Sequence, residues 1–381
     1  MNTIKPQHTL PRVIKCFSEL EDPRVEGRTN HMLIDIIVIA ICAVLCGAET
    51  WRGIEAFGHA KYEWLKNFLD LPSGIPSDQT FARVFSLIPA ECFLKCFMKW
   101  VNWEGLKKPM EIVSIDGKTL RRSHHHRVGK KAIHLVNAFA TENGLAIGQE
   151  KIDEKSNEIK AIPPLLKKLE LRNCIVTLDA MGCQKGIANL IRIRKADYVL
   201  AVKGNQGKLH KKLVRLFERA KELKFNAMVF KESKHVEGDH GRVEERIYTF
   251  LPLMYLFEFK SYWKDLQTFV KVENHIVYGD GKEEKVNRYY ISSLGWKEVD
   301  KIQKAIRNHW QVENRLHWCL DLVFREDDCR IRRGYADQNF AILRQLILNM
   351  LRRDKTFRGG LKIKRHYASW NHNYLKKVVG L

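Results

Sequence analysis

Over residues 111–223 the hydrophobic pattern alternates between the two-residue period of strands and the 3.6-residue period of helices, and few folds accommodate the order that results. Residues 111–116 read as a short strand rich in β-branched side chains. Residues 133–141 and 145–152 read as two more, joined by the turn Glu142-Asn143-Gly144. A helix is expected from Ser156 to about residue 169. Pro163 and Pro164 fall inside it, where the missing backbone donors predict a kink or a split. Residues 174–179 form a fourth strand, apolar up to Asp179 apart from Thr177, as a strand covered on both faces requires. A helix over 184–195, a strand over 197–202 and a helix over 207–223 complete the order β-β-β-α-β-α-β-α.

The flanking segments differ in character. Residues 1–106 read as an all-helical N-terminal domain that binds DNA, with helices over 11–20, 32–46, 51–57, 62–69 and 91–103. The most apolar run, 32–48, contains Asp35 and is shorter than the ~20 apolar residues of a membrane span, so a buried helix is expected. Pro72-Ser73-Gly74-Ile75-Pro76 is a turn, and Ser77 caps the helix that follows. A turn leading into a capped helix fits a helix-turn-helix reader; it also fits ordinary helix packing, the commoner case. Lys107-Lys108-Pro109 reads as a linker into a core segment, 107–226. Residues 227–297 read as a β-rich insertion, with strands over 243–250, 268–277 and 286–293 and a hairpin turn at Gly279-Asp280-Gly281. Residues 298–330 return to helix as a core element, and 331–381 form a basic tail with an amphipathic helix over 338–353.

The formal charge is +22, from 66 Lys and Arg against 44 Asp and Glu. Such a field favours a polyanionic partner, nucleic acid above all. From Arg330 to Leu381 thirteen Lys or Arg stand against Asp337 and Asp354, a net +11 that is half of the whole excess. Tyr367, Trp370 and Tyr374 are interleaved with them, and such rings either stack on bases or pack in a core. The nine cysteines are odd in number. The pairs Cys42/Cys46 and Cys92/Cys96 sit in apolar helical runs rather than in the loop knuckles of structural zinc sites. Buried reduced thiols, no targeting segment, no membrane and a cytoplasmic location are expected.

The strand order is that of a ribonuclease H-like sheet, in which the first and fourth strands lie side by side. Asp116 closes the first and Asp179 the fourth, so two carboxylates meet at one edge. Adjacent carboxylates repel, and a proton or a cation must relieve the repulsion. Oxygen ligands favour Mg2+ or Mn2+, and two such ions about 3.5–4 Å apart can serve in-line phosphoryl transfer. A third carboxylate is then needed. Glu313 is the candidate, because on a helix over 302–320 it shares a face with Ile306, His309, Trp310, Leu316, His317 and Leu320. Taken singly, each acid has a plainer explanation: a turn at Asp116-Gly117, a strand-end cap at Asp179, an ion pair to Arg307 or Arg315 at Glu313. Lys118, Arg121 and Arg122 follow Asp116, and Lys203 follows the fifth strand in Lys203-Gly204-Asn205-Gln206. With Arg307, Arg315, Arg330, Arg332 and Arg333 they are the expected phosphate contacts. His124-His125-His126 reads as a surface tract rather than a metal site.

Seven separated blocks then stand out in one order. They are Phe17-Ser18-Glu19-Leu20-Glu21-Asp22-Pro23-Arg24, Ser114-Ile115-Asp116-Gly117-Lys118-Thr119-Leu120-Arg121, Asp153-Glu154-Lys155-Ser156-Asn157-Glu158-Ile159, Thr177-Leu178-Asp179-Ala180-Met181-Gly182-Cys183-Gln184, Val202-Lys203-Gly204-Asn205-Gln206, Asp239-His240-Gly241-Arg242-Val243-Glu244 and His309-Trp310-Gln311-Val312-Glu313-Asn314. In these the chain resembles the H-repeat-associated insertion-sequence transposases, part of the wider DDE transposase group. The resemblance implies an α/β, ribonuclease H-like catalytic core with its metal-binding triad on Asp116, Asp179 and Glu313, and a β-rich insertion before the Glu-bearing helix. It also implies a homodimer on double-stranded DNA that joins element ends to target. The wider group often carries a Tyr and an Arg upstream of the Glu and a Lys downstream. Here Ile306, His309 and Leu320 or Asp321 stand in those places, which leaves Arg307, Arg315 or Arg325 to take over their roles. Asp321, Glu326, Asp327 and Asp328 are rival third carboxylates. The expected protein is a Mg-dependent DNA transposase that cuts element ends hydrolytically and transfers the 3′-OH strand into target DNA. A metal-dependent nuclease without strand transfer and an inactive DNA-binding remnant are the alternatives.

Overall fold

The computed structural model describes residues 11–25, 27, 29–103, 110–124, 129–153, 157–223, 228–239 and 242–381. The expected linker 107–109, and with it His125, His126, Ser156, His240 and Gly241, lies outside them. Helix α1 (Arg12–Phe17) leads to α2 (Leu33–Leu45), which takes up the apolar run and is buried along nearly its whole length. Its one acid, Asp35, accepts a hydrogen bond from the backbone N–H of Leu71 at 3.2 Å, which satisfies an otherwise costly buried carboxylate. Around α2 stand α3 (Trp51–Ala60), α4 (Tyr62–Leu65), α5 (Asp78–Leu87) and α6 (Ala90–Trp103). Ser77 caps α5 by accepting from the Thr80 N–H. Among the described residues no helix is long and apolar enough to cross a membrane. None of Cys42, Cys46, Cys92 and Cys96 is in a disulfide.

The chain then builds one sheet, nine strands wide among the described residues. Strands β1 (Ile112–Thr119), β2 (His134–Ala140) and β3 (Leu145–Ile152) form an antiparallel meander. Helix α7 (Glu158–Lys168) follows, capped by Asn157. Strand β4 (Ile175–Leu178), helix α8 (Lys185–Ile193), strand β5 (Asp197–Val202) and helix α9 (Gly207–Glu222) come next. Strands β1, β4 and β5 are parallel. Helix α7 continues through Pro163 and Pro164, contrary to the expected kink or split. Its inward face, Ala161, Ile162, Leu165 and Leu166, is buried against the sheet, and this packing outweighs the lost backbone donors.

Residues 231–292, within the expected β-rich insertion, extend the sheet. Strands β6 (Lys231–Asp239), β7 (Arg242–Pro252), β8 (Thr268–Tyr278) and β9 (Glu283–Ser292) continue the same sheet, in the order β3-β2-β1-β4-β5-β9-β8-β7-β6, with β9 antiparallel to β5. The sequence reading missed β6, whose outer position leaves most of its side chains in water and erases the alternation that marks a half-buried strand.

Helices α7, α8 and α9 cover one face of the sheet, packing on Val113, Ile115, Val176, Leu178, Tyr198 and Leu200. The opposite face takes α10 (Val299–Asn308), a π-helical turn at Val312–His317 and α11 (Trp318–Phe324), where one continuous helix was expected. It also takes α12 (Ala336–Arg353), which lies in one hydrophobic core with α1, α2, α5 and α6. The side-chain amide of Asn349 on α12 pairs with both backbone groups of Ala146 in β3, at 2.9 and 2.8 Å. Helices α13 (Leu361–Trp370) and α14 (His372–Val379) close this core.

The expected basic tail packs into this core, and three of its thirteen basic side chains, Arg344, Lys364 and Arg365, are buried while most of the others stay exposed. Arg344 is buried beside Glu326 and over the Phe340 ring. Lys364 donates to the Leu351 carbonyl at 2.9 Å. Arg365 donates to the carbonyls of Val44 at 2.8 Å and Leu45 at 3.4 Å, closing the C-terminus of α2, and reaches Val323 O as well. Tyr367 and Tyr374 pack with Phe357, whereas Trp370 is exposed. Arg365→Ala removes the buried charged donor that these carbonyls share and is expected to cost ~2–4 kcal/mol in urea denaturation. A loss under half a kcal/mol would show that the contact does not hold α2 to the C-terminal helices.

Candidate active site

The ladder between β1 and β4 pairs Ile112 with Ile175 through to Ile115 with Leu178. Asp116 and Asp179 stand one step further along, so the register sets the two acids side by side, at the ~4.8 Å spacing of neighbouring strands. They share a face with Ile112 and Ile175, which pack with Ile302 and Ile306 of α10. The same row continues into the antiparallel strands, with Asp116 opposite Asn137 and Asn137 opposite Gln149. A band of polar side chains thus crosses an otherwise apolar sheet.

Glu313 comes to this band from the π-helical turn Val312–His317. Such turns are rare and recur at functional sites, because the wider loop re-aims its side chains. His317 Nδ1 donates to the Glu313 carboxylate at 2.8 Å and lies 3.7 Å from Asp116 Oδ2. The Asn137 amide N–H donates to His317 Nε2 at 3.2 Å, while Gln345 Nε2 donates to Asn137 Oδ1 and to Gln149 Oε1, each at 2.8 Å. Because Gln345 takes the Asn137 oxygen, the Asn137 NH2 must face the imidazole, and the ring proton is assigned to Nδ1. One ligand atom from each of Asp116, Glu313 and His317 lies within 4.8 Å of the others.

A second contact seats the end of α10. His309 donates to Thr177 Oγ1 at 3.0 Å, Thr177 to Ser114 Oγ at 3.1 Å, and Ser114 to the Asn308 carbonyl at 3.3 Å. Burial pushes His309 down to about 4, so it docks as a neutral ring. The strands that carry the two aspartates thus also hold the segment that carries Glu313.

Burial pushes the Asp116 carboxyl up to about 6. The nearby charges of Asp179 and Glu313 add to the rise, and His317 and the Gly117 N–H oppose it. Glu313 moves the other way, because the hydrogen bond from His317 holds its carboxyl below the usual glutamate range. Glu158, the first residue of α7, is raised by burial and then by the charges of Asp116 and Asp179.

The other expected site residues divide. Lys118 is buried and bound to Asp321 at 2.6 Å, with Glu326 at 3.8 Å, rather than free for a phosphate. Arg121 pairs with Asp327 and Arg122 with Asp328, both at 3.2 Å on exposed surface. The rival carboxylates Asp321, Glu326, Asp327 and Asp328 are thus each engaged by a basic side chain. Arg307 pairs with Glu237 at 2.6 Å. Arg315 donates to Gln311 Oε1 at 2.8 Å and to the Thr141 carbonyl at 3.2 Å. Arg332 donates to the Arg122 carbonyl at 3.0 Å, whereas Arg330 and Arg333 are exposed. Arg325, a further candidate, pairs with Asp328 at 3.3 Å. His124 bonds to the Arg121 carbonyl at 2.8 Å. Lys203 is exposed just past the C-terminal end of β5, the sheet edge that also carries Asp179. The side chains that follow it brace the loop after Asp179: Asn205 donates to the Ala180 carbonyl, and Gln206 to that of Cys183 at 2.9 Å.

Residues 107–350 match the family described as "Transposase DDE domain", and residues 14–101 the family described as "DDE_Tnp_1-associated". The chain belongs to the DDE transposase family. The H repeat-associated putative transposase YhhI of Escherichia coli (strain K12) is 41% identical over 379 residues, 97% of this chain and 98% of that protein. The putative transposase YncI of Escherichia coli O157:H7 is 42% identical over 386 residues, 97% of this chain and 95% of that protein. A piggyBac transposase synaptic complex with hairpin DNA aligns with 97% of this chain and 77% of that one, at 11% identity and a TM-score of 0.38, too distant to carry an argument.

Five side chains around these acids escaped the sequence reading: His317 as a partner of Glu313, Asn137, Gln149 and Gln345 behind it, and Glu158. Asn137 and Gln149 do leave a signal, as amides at inward positions of apolar strands. Gln345 leaves less, since it interrupts the apolar face of α12 between Leu343 and Leu346. The raised Asp116 carboxyl sets a pH test. An acid whose pKa rises on folding leaves stability untouched below about pH 4 and lowers it as pH rises through about 6, here by at most ~3 kcal/mol. In EDTA, Asp116→Asn is therefore expected to be more stable than the parent by ~1–3 kcal/mol at pH 7.5 and no different near pH 4, by denaturant titration. Equal stability at both pH values would mean that Asp116 is not strained.

Proposed function

We propose that this chain is a DNA transposase whose carboxylates Asp116, Asp179 and Glu313 serve phosphoryl transfer on double-stranded DNA. The observation that supports the reading is the gathering of Asp116, Glu313 and His317, with Asp179 one ladder step beyond Leu178 on the strand beside Asp116, in a chain of the DDE transposase family. The oxygen-rich donor set, with one imidazole beside it, fits hard divalent cations such as Mg2+ or Mn2+, two in number. When bound, such ions supply charge neutralisation and Lewis acidity at phosphodiester oxygens.

The protein's own groups supply the geometry. The parallel ladder fixes the spacing of Asp116 and Asp179. His317 aims Glu313 through its Nδ1–H, and His309 seats the helix that precedes it. The meander and β4–β5 act as a ribonuclease H-like core, with β6–β9 as its extension. Exposed Lys203, at the edge beside Asp179, meets a backbone phosphate. Arg121 and Arg122 can exchange their acidic partners for phosphates, since exposed ion pairs are held by about 1 kcal/mol or less. Arg330, Arg333 and the N-terminal helices extend the DNA contact, and a homodimer brings two element ends together. In the reaction, water attacks the phosphodiester at the element end and releases a 3′-OH, which then attacks target DNA by a second in-line displacement.

The test combines purified protein, Mg2+, labelled element-end DNA and a supercoiled target plasmid. Joined products are expected. Asp116→Asn and Glu313→Gln should each lower the rate ~10^3-fold or more, about 4 kcal/mol of transition-state stabilisation, while DNA affinity holds. Nicks without joining would identify a nuclease, and binding without any cut a non-catalytic remnant. Lys203→Glu should weaken DNA binding several-fold and flatten its salt dependence in fluorescence anisotropy. An unchanged salt slope would remove Lys203 from the interface.

A further inference from the structure

The two faces of the sheet do not contribute equally to the triad. Asp116 and Asp179 lie on the face of α10, and Glu313 arrives from that same side. Gly117, the next residue along β1, faces the other way, toward the layer of α7. A Cβ built on Gly117 would fall on the Glu158 carboxylate, 2.5 Å from its Cδ. Glu158 therefore fills the space that a side chain at 117 would take, next to Asp116 along β1 but on the other face, and it does not gather with the aspartates as closely as Glu313 and His317 gather with Asp116. Its backbone is fixed there, since it opens α7, which Asn157 caps and whose apolar face is buried. Among the described residues no hydrogen bond or ion pair engages its carboxylate, although the residue is half-buried.

Charge bookkeeping points the same way. Lys118 and Arg344, behind this edge, are already matched by Asp321 and Glu326. Asp116, Asp179, Glu158 and Glu313 then outnumber the groups left to face them, exposed Lys203 and the His317 imidazole, and divalent cations would balance the excess. Glu313 and His317 gather with Asp116, while the charges that bear on Glu158 are those of Asp116 and Asp179.

We infer that Glu158 is a fourth metal-binding carboxylate, which completes a second cation subsite with Asp116 and Asp179 from the opposite layer of the fold. The inference rests on the metal-dependent reading above. Gly117 is glycine because any side chain there would push Glu158 out of this subsite.

The experiment is a Mn2+ titration of the full-length protein, with free Mn2+ counted by electron paramagnetic resonance. Two ions are expected on the parent and one on Glu158→Gln, or the second held at least tenfold more weakly. Circular dichroism should be unchanged, because no hydrogen bond is lost. Gly117→Ala keeps the glutamate but displaces it, and should lose the same ion. If Glu158→Gln and Gly117→Ala keep both ions within twofold of parental affinity while Asp116→Asn loses them, Glu158 is no ligand and the triad reading stands. If the parent binds no Mn2+, or Asp116→Asn binds as the parent does, the metal-dependent reading itself falls, and this inference with it.

Discussion

A strand ladder allows no partial slip, since a shift of one residue turns every side chain to the opposite face. The pairing of β1 with β4 is therefore the constraint on which the rest depends. It is held by apolar neighbours on both sides: Val113, Ile115, Val176 and Leu178 toward α7–α9, Ile112 and Ile175 toward α10. With that register fixed, Asp116 and Asp179 have no freedom to separate, and the burial that drives the strands together also places Asp116 where ionisation is unfavourable. The fold thus holds Asp116 at a desolvation cost, with a smaller repulsion from Asp179 and Glu313, that hydrophobic packing offsets, a common feature of sites built to bind charge.

The third acid is placed by a different device. A regular helix from Val299 to Phe324 would fix every side chain by one rotation angle per residue. The π-helical turn breaks that rule between Val312 and His317, on the segment that bears Glu313. The buried amides of Asn137, Gln149 and Gln345 then hold His317, and His317 holds Glu313. Three segments distant in sequence, the meander, the π turn and α12, meet in this chain of donors and acceptors, and each polar group in it is costly to bury unless the others are present.

How much of this was legible follows from which interactions are local. Strand and helix positions in 111–223 leave periodic traces, and the ends of the first and fourth strands point to Asp116 and Asp179. Glu313 could be placed on an inward face by helical spacing, although that spacing assumed a regular helix. The tertiary partners leave no such trace. Lys118 reads as a phosphate contact because it follows Asp116 in a basic run, and only packing shows Asp321 and Glu326 closing on it. Arg344 and Arg365 count as surface charge in any composition, yet both are interior, because buried carbonyls and a carboxylate await them. The insertion at 231–292 could be read as strands, but sequence shows where strands are, not which edge they join.

Helix α2 and helix α12 share one core while some 300 positions separate them in the chain. At synthesis rates of about 5–20 residues per second, the part of α2 that meets α12 waits roughly 15–60 s on the ribosome before that cover is made. During that interval it is a target for chaperones and proteases. A copy of the gene cut short by a frameshift would never supply the cover, so its product would be cleared rather than linger as a competitor. Quality control on broken copies is in this sense written into the order in which the core is assembled.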